Sequence, residues 1–374
     1  MKIISTPRTV DISITGRCNL RCKYCFYADE MAASRDLPTD TWLSFFDELG
    51  RLGVMDVCLT GGEALSRPDI FDLIDSVIAN RMRYTILSNG TLINEQLIKK
   101  FEVGKRRSRL DQFQISIDGS RPEVHNLSRP KSFQRALRGL RLVKEAGFPA
   151  TVRVTINKHN LNDLDDIAGL LLEKVGLPSF STNEAFPMGA GCQNREQVSL
   201  NAIEMRQAME TISRLQEKYP GCLTALAGPQ AKMITYAEME HARSTGEKSS
   251  RFQMGYLTGC GCIFSKISIL HDGTIVPCHL LDHSRLGNIT KDSLQDIWLQ
   301  HPILKSLRER RAIPMQQVTG CETCEWAAYC NGSCPGLAQQ LTGDYNRANP
   351  FDCYRLFLQE TQLSKTIGIQ DDIL

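Results

Sequence analysis

Short β-rich runs alternate with amphipathic helical patterns through the first two-thirds of the sequence, and that alternation leaves few folds open. TVDISIT, VMDVCLT, RYTILSNG, FQISIDG, ATVRVTIN and SFSTNEAF read as strands. Between them, TWLSFFDELGRLG puts Trp42, Phe45, Phe46, Leu49 and Leu52 on one helical face, and IFDLIDSVIAN, FQRALRGLRLVKEAG, DLDDIAGLLLEKVG and AIEMRQAMETISRLQEKY repeat the period. Strands joined by crossover helices pair in parallel with right-handed connections. About six such units fit before Tyr219, short of the eight of a closed barrel. The expectation is therefore an α/β fold, a partial (βα)6 TIM barrel over residues 7–220.

The chain has 374 residues, 42% hydrophobic and 23% charged, enough for two or three domains with their own cores. A net charge of +2 gives no general attraction to nucleic acid or to a membrane surface. The basic runs Lys105–Arg109 and Arg308–Arg311 read as solvated surface, with a grip on an acidic substrate segment as the alternative. No stretch approaches the roughly 18 apolar residues of a membrane span, and MKIISTPRTV lacks the apolar core of a signal peptide. The expected compartment is the reducing cytoplasm, where disulfides do not consume the 14 cysteines and metal binding is their expected use.

In such barrels the loops after the strands carry the chemistry. Four motifs sit there: GRCNLRCKYCFYADE with Cys18, Cys22 and Cys25; Gly61-Gly62-Glu63; Ser88-Asn89-Gly90; and Ser116, Asp118 and Gly119. Glycines let backbone approach a ligand closely, Glu63 can accept from an ammonium group, and Ser88, Asn89, Ser116 and Asp118 suit ribose hydroxyls. The three thiols admit three readings. One is reduced cysteine, or a disulfide with a spare. Structural zinc would need a fourth N or S ligand, and none is nearby. An iron–sulfur cubane would take three thiolates and leave its fourth iron open to another ligand.

Cys18-x3-Cys22-x2-Cys25, with Tyr24 before the last Cys, resembles the radical SAM enzymes. That resemblance implies a 4Fe–4S cluster whose open iron binds S-adenosyl-L-methionine and whose electron splits it to a 5′-deoxyadenosyl radical. It further implies that Gly61, Gly62 and Glu63 meet the methionyl amino group, and that Tyr24 and Phe26 meet the adenine. Ser88, Asn89 and Asp118 are the remaining ribose candidates. Ser116 and Arg129, within HNLSRP, resemble the contacts to ribose and methionyl carboxylate. Arg153, a charge inside the strand ATVRVTIN, is a second carboxylate candidate or a structural ion pair.

Composition shifts after about residue 250. Cys260, Cys262, Cys278, Cys321, Cys324, Cys330, Cys334 and Cys353 fill two four-ligand sites, with zinc ribbons as the rival reading. Gly273-x4-Cys278 followed by Cys321-x2-Cys324-x5-Cys330-x3-Cys334 resembles the SPASM domain, as does RLGNITKDSLQDIW. A small cysteine-rich iron–sulfur domain is expected over 256–355, after a linking segment at 221–255 and before a tail at 356–374. The resemblance implies two auxiliary 4Fe–4S clusters. One takes Cys321, Cys324, Cys330 and Cys353. The other takes Cys278, Cys334 and one or both of Cys260 and Cys262, which a single Gly separates. Cys58, Cys192 and Cys222 fall outside both frameworks, and Cys58 reads as a small core residue.

SPASM-type enzymes act mostly on peptides or peptide-derived cofactors. Sulfatase maturases carry Asp after the Cys of Gly-x4-Cys, where this chain has His279. The pyrroloquinoline quinone enzyme has Asp where this chain has Cys330. The expected function is therefore oxidative cross-linking of a ribosomally made precursor peptide through a thioether, C–C or C–O bond. Auxiliary clusters would accept an electron, and flavodoxin or ferredoxin would act as reductant. Modification of a cofactor precursor, a tetrapyrrole or a sulfatase-type residue is the alternative. A ferredoxin-like carrier and a redox-inert zinc protein are the readings outside enzymes. Many peptide maturases carry an N-terminal recognition domain; here the first strand opens almost at once, so leader recognition is expected on the barrel surface, a separate protein or the substrate core. His279 is the candidate catalytic base or a hydrogen-bond donor to cluster sulfur, with Asp282, His283 and Glu184 as further candidates.

Overall fold

The structure, a computed structural model, describes residues 4–33, 35–225, 227–258 and 261–366. The six expected strands are present as β1 (Thr9–Thr15), β2 (Asp56–Gly61), β3 (Arg83–Ser88), β4 (Leu110–Ser116), β5 (Ala150–Ile156) and β6 (Phe180–Glu184). Each is parallel to the next in chain order. One face of each strand meets the surrounding helices: Val10, Ile12 and Ile14 of β1, Phe113 and Ile115 of β4, and Val152, Val154 and Ile156 of β5 are buried in one core. The helix Thr39–Leu52 contributes Trp42, Phe45, Phe46 and Leu49 to that core, whereas Leu52 is half-buried at its edge. Gly53 ends this helix in the left-handed region (φ 74°), as a C-terminal glycine should.

The opposite face is polar. Arg153 points there, where its Nε donates to Ser181 Oγ at 2.7 Å and its Nη2 to Gln114 Oε1 at 3.1 Å. Two neutral acceptors thus engage two of its five N–H groups. Cys58 shares this face, within electrostatic reach of Asp11 and Lys266. It is half-buried rather than part of the helix-facing core.

The sheet extends beyond the six units at both edges. The short strand β7 (Leu223–Ala225) adds parallel to β6. On the other side β8 (Lys266–Ile269) runs parallel to β1, and β9 (Thr274–Val276) and β10 (Gly287–Asn288) follow antiparallel. Three strands therefore come from beyond residue 256, and they cover β1, which would otherwise be a bare edge. The helix Pro229–Thr245 lies within the expected linking segment. Its Tyr236 stacks on Tyr354 of the helix Tyr354–Thr366 at 4.4 Å, and Trp326 meets Tyr354 edge-on at 4.8 Å. With Met205, Met209 and Met239 these rings form a second core that fastens the C-terminal cysteine segment to the barrel. Among the described residues, no helix is long and apolar enough to cross a membrane.

Candidate active site

The cysteine loop leaves β1 under tight control. Asp36 accepts from Thr15 Oγ1 and from the Gly16 N–H, both at 2.7 Å. A Cβ on Gly16 would lie 2.7 Å from His271 Nε2, so only glycine fits there, and His271 Nδ1 in turn meets the Tyr27 hydroxyl at 2.6 Å. From the neighbouring strand, the Gly62 and Glu63 N–H groups donate to Thr15 and Arg17 carbonyls at 2.8 Å. A Cβ on Gly61 or Gly62 would come within 2.2 Å of those same carbonyl oxygens. The closeness that the two glycines permit here is thus backbone against backbone. They press the end of β2 onto the cysteine loop.

Cys18, Cys22 and Cys25 lie half-buried on that loop, each within electrostatic reach of another. Burial pushes all three thiols up, Cys25 to about 12, with its neighbouring thiols adding to the effect. Left alone they would stay protonated; a bound cation deprotonates such thiols outright. Among the described residues, no three His, Cys, Asp or Glu side chains meet closely enough to hold a single ion. Three thiols within electrostatic reach of one another can serve three corners of a polynuclear group. Arg129 supplies positive charge beside them, its Nη1 3.6 Å from Cys22 Sγ. These features fit an iron–sulfur cluster with one iron left unclaimed by the chain.

Glu63 is 1% exposed and faces this loop from the adjacent strand end. Its Oε1 accepts from Ser88 Oγ at 2.8 Å and from the Leu65 N–H at 3.2 Å, and its Oε2 from the Asn89 N–H at 2.7 Å. Burial pushes its carboxyl up against the pull of these donors. Ser88 and Asn89 are therefore turned toward Glu63 rather than held free, and Asn89 Nδ2 also donates to Asn19 Oδ1 of the cysteine loop at 2.8 Å. Glu63→Gln would set an NH2 group against N–H donors. It is expected to lower stability by about 1–3 kcal/mol in anaerobic urea unfolding.

Asp118 and Arg129 form a buried ion pair at 2.5 Å, with the Tyr24 hydroxyl on the same Asp118 oxygen. The Thr155 N–H takes the other oxygen at 2.7 Å. Both oxygens of Asp118 are thus engaged by the chain, and the guanidinium is fixed between Cys22 and the Tyr24 ring, 5.4 Å from its centroid. Ser116 ends β4 in register with Arg153. Phe26 is 37% exposed and meets Tyr27 edge-on. Several supports had no signal in the sequence. The Ser128 carbonyl accepts from the Lys23 N–H at 3.0 Å, and Cys25 O accepts from the Ala190 N–H at 3.0 Å. Gly189, at φ 52°, approaches Cys25 so closely that a Cβ would sit 2.7 Å from its carbonyl oxygen. The glycines of MGAGCQN were the one available hint.

The C-terminal cysteines gather elsewhere. Cys321, Cys324, Cys330 and Cys353 lie within electrostatic reach of one another; burial first, then the other thiols, push Cys330 up to about 12 and Cys321 to about 11. These four and Cys334 line a cavity of about 600 Å³ that runs to Glu184 at the end of β6. Cys278 packs apart from it, with Ile263, Leu281 and Leu307. Cys262 opens the helix Cys262–Ser265, and Cys260 lies outside the described residues. His279 follows Cys278, but its Nε2 is 2.9 Å from Ser13 Oγ on β1. His283 is largely exposed, 3.7 Å from Asp282. Of these four candidate bases, Glu184 is the one that lines the cavity.

The radical SAM superfamily profile matches residues 12–171, and the SPASM iron–sulfur cluster-binding domain matches residues 260–325. Relatives include an AdoMet-dependent heme synthase of Methanosarcina barkeri, 28% identical over 94% of this chain and 97% of the relative. A PqqA peptide cyclase of Granulibacter bethesdensis is 26% identical over 94% and 88%. Among solved structures, Streptococcus suis SuiB bound to its precursor peptide SuiA superposes with TM-score 0.72 at 16% identity, over 94% of this chain and 77% of that one. The anSMEcpe structure with bound AdoMet gives 0.69 at 17%, over 96% and 100%. The chain is a radical SAM family enzyme whose C-terminal part carries a SPASM iron–sulfur domain.

Proposed function

We propose that this chain introduces an oxidative cross-link, a thioether, C–C or C–O bond, into a ribosomally made peptide. When bound, the clusters and S-adenosylmethionine supply a hydrogen-abstracting radical and an acceptor for the electron that leaves the substrate. The chain's residues do the rest. Cys18, Cys22 and Cys25 hold the first cluster. Glu63, oriented by Ser88 and Asn89, receives the methionyl ammonium, and Arg129, fixed by Asp118, receives the carboxylate. Tyr24, Phe26, Ser116 and Arg153 complete the nucleotide's surroundings. Cys321, Cys324, Cys330 and Cys353 hold one auxiliary cluster. Cys278, Cys334 and the pair Cys260 and Cys262 serve the other. A flavodoxin or ferredoxin delivers the electron.

The observation that carries this reading is the cavity of about 600 Å³ whose wall includes both the auxiliary cysteines and the barrel strand end at Glu184. Once those thiols hold a cluster, the space left along Glu184, Phe186 and Ala227 would take substrate beside it, and these walls exclude water. SuiB and anSMEcpe, whose folds this chain shares, have been seen with peptides bound, and PqqA peptide cyclases are among the relatives. The test is anaerobic co-expression with any short peptide found encoded beside the gene, read by mass spectrometry. Loss of two hydrogen atoms from the peptide is expected; an unchanged peptide contradicts the reading. Cys330→Ala should remove the cross-link and one cluster's share of iron, yet leave release of 5′-deoxyadenosine at the level of the parent chain.

A second reading, tetrapyrrole modification, is favoured by the heme synthase relative, which aligns over nearly the full length of both chains. Turnover of a tetrapyrrole with no change in the peptide would replace the first reading by the second.

A further inference from the structure

A chain of buried charges crosses from the barrel to the auxiliary cysteine segment. Lys232, on the helix Pro229–Thr245, lies 2.8 Å from Glu184 Oε1 and 3.0 Å from Asp352 Oδ1, and it donates to the Phe351 carbonyl at 3.0 Å. Two carboxylates and one carbonyl thus complete the surroundings of the ammonium group. Asp352 is likewise complete, because its second oxygen accepts from Ser333 Oγ at 2.5 Å and from Asn349 Nδ2 at 2.7 Å. Glu184 is not complete. Its Oε1 meets Lys232 in ion-pair rather than hydrogen-bond geometry, and among the described residues its Oε2 has no donor. Yet Glu184 is 2% exposed and lines the cavity.

An unpaired carboxylate oxygen in such a place is costly. Burial pushes the Glu184 carboxyl up to about 7 in spite of Lys232. With one cation between two carboxylates, the ionised cluster carries a net charge of −1, which a second cation from outside would neutralise. Of the other cations on the cavity wall, Lys266 meets Asp11 at 3.1 Å and Arg355 donates to the Gly320 carbonyl at 3.1 Å, and neither of these contacts involves Glu184. The surrounding wall, with Phe186, Ala227 and Met239, suits the alkyl stem of a long basic side chain.

We propose that Glu184 anchors a cation-recognising subsite, in which its free carboxylate oxygen receives the ammonium or guanidinium of a Lys or Arg side chain of the substrate. This rests on the peptide reading above and sharpens it. The substrate segment that enters the cavity carries a basic residue near the site of modification. A polycarboxylate such as a tetrapyrrole would be opposed by the same group.

The test uses the full iron–sulfur-loaded chain, without S-adenosylmethionine, and small probes followed by calorimetry. Nα-acetyl-lysine methylamide should bind about tenfold or more tightly than Nα-acetyl-norleucine methylamide, which lacks the ammonium group, and Glu184→Gln should abolish that preference. Equal binding of the two probes, preference for Nα-acetyl-glutamate methylamide, or a lysine preference that survives in Glu184→Gln would each overturn the proposal. Should the variant fail to fold, the parent chain is labelled with a diazirine-bearing lysine amide. Adducts within residues 184–186 or on the helix Pro229–Thr245 support the subsite, and adducts confined to other segments overturn it. Probe binding does not depend on turnover. Selective lysine binding without peptide modification would retain the subsite and remove the peptide function; cross-linking without lysine selectivity would do the reverse.

Discussion

Cys22→Ala will take the reductive cleavage of S-adenosylmethionine to background. The full chain, reconstituted with iron and sulfide and reduced with dithionite, should release 5′-deoxyadenosine, and the variant should release none. The loop offers three thiols and no fourth, so two remaining thiolates leave half of a cubane's corners without protein ligands. Cys22 is the instructive choice because Arg129 stands 3.6 Å from its sulfur and the loop backbone is anchored independently at Thr15, Gly16 and Cys25. Its loss should therefore spare the fold. Iron content should fall by one cluster's share, with the auxiliary signal retained. Retained cleavage in Cys22→Ala would mean that the loop does not hold the reactive cluster.

Asp118→Ala is expected to destabilise the chain by about 3–5 kcal/mol and to weaken S-adenosylmethionine binding together with it. Asp118 is the buried counter-charge of Arg129, and it also accepts from Tyr24 and from the Thr155 N–H. Its removal leaves a guanidinium that is 11% exposed without its carboxylate, next to the cysteine loop. Asp118→Asn keeps the shape but not the charge, and should fall between the two. Anaerobic urea unfolding and equilibrium dialysis with labelled S-adenosylmethionine measure both effects. Unchanged stability in Asp118→Ala would show that Arg129 finds another partner, and would remove the positioning role assigned to Asp118.

The fold was largely legible because its long strands carry their own signal. Val10, Ile12 and Ile14 alternate with Asp11 and Ser13, and Trp42, Phe45, Phe46 and Leu49 return every helical turn. The edge strands were not legible. β7 to β10 are two to four residues long, and they exist because β6 and β1 offer open hydrogen-bonding edges, which no local pattern announces. The candidate site divides the same way. Spacing alone pointed to Cys18, Cys22 and Cys25, since one loop makes all the contacts. Partners contributed by distant segments were hidden. Asp118 and the SNG turn looked like free polar groups, yet fold to orient Arg129 and Glu63. His279 was singled out for its place beside a cysteine, but Ser13 on β1 occupies its ring nitrogen. Glu184 was ambiguous because its meaning depends on Lys232 and Asp352, 48 and 168 positions away in the chain.

Low-temperature electron paramagnetic resonance of the dithionite-reduced full chain, with and without S-adenosylmethionine labelled with 17O on its carboxylate, reads the fourth iron directly. If Cys18, Cys22 and Cys25 leave that iron open, the signal that Cys22→Ala eliminates will shift on addition of the nucleotide and broaden with the label. A fully iron-loaded chain whose signal is indifferent to saturating nucleotide would contradict the open site, and with it the radical chemistry assigned to this molecule.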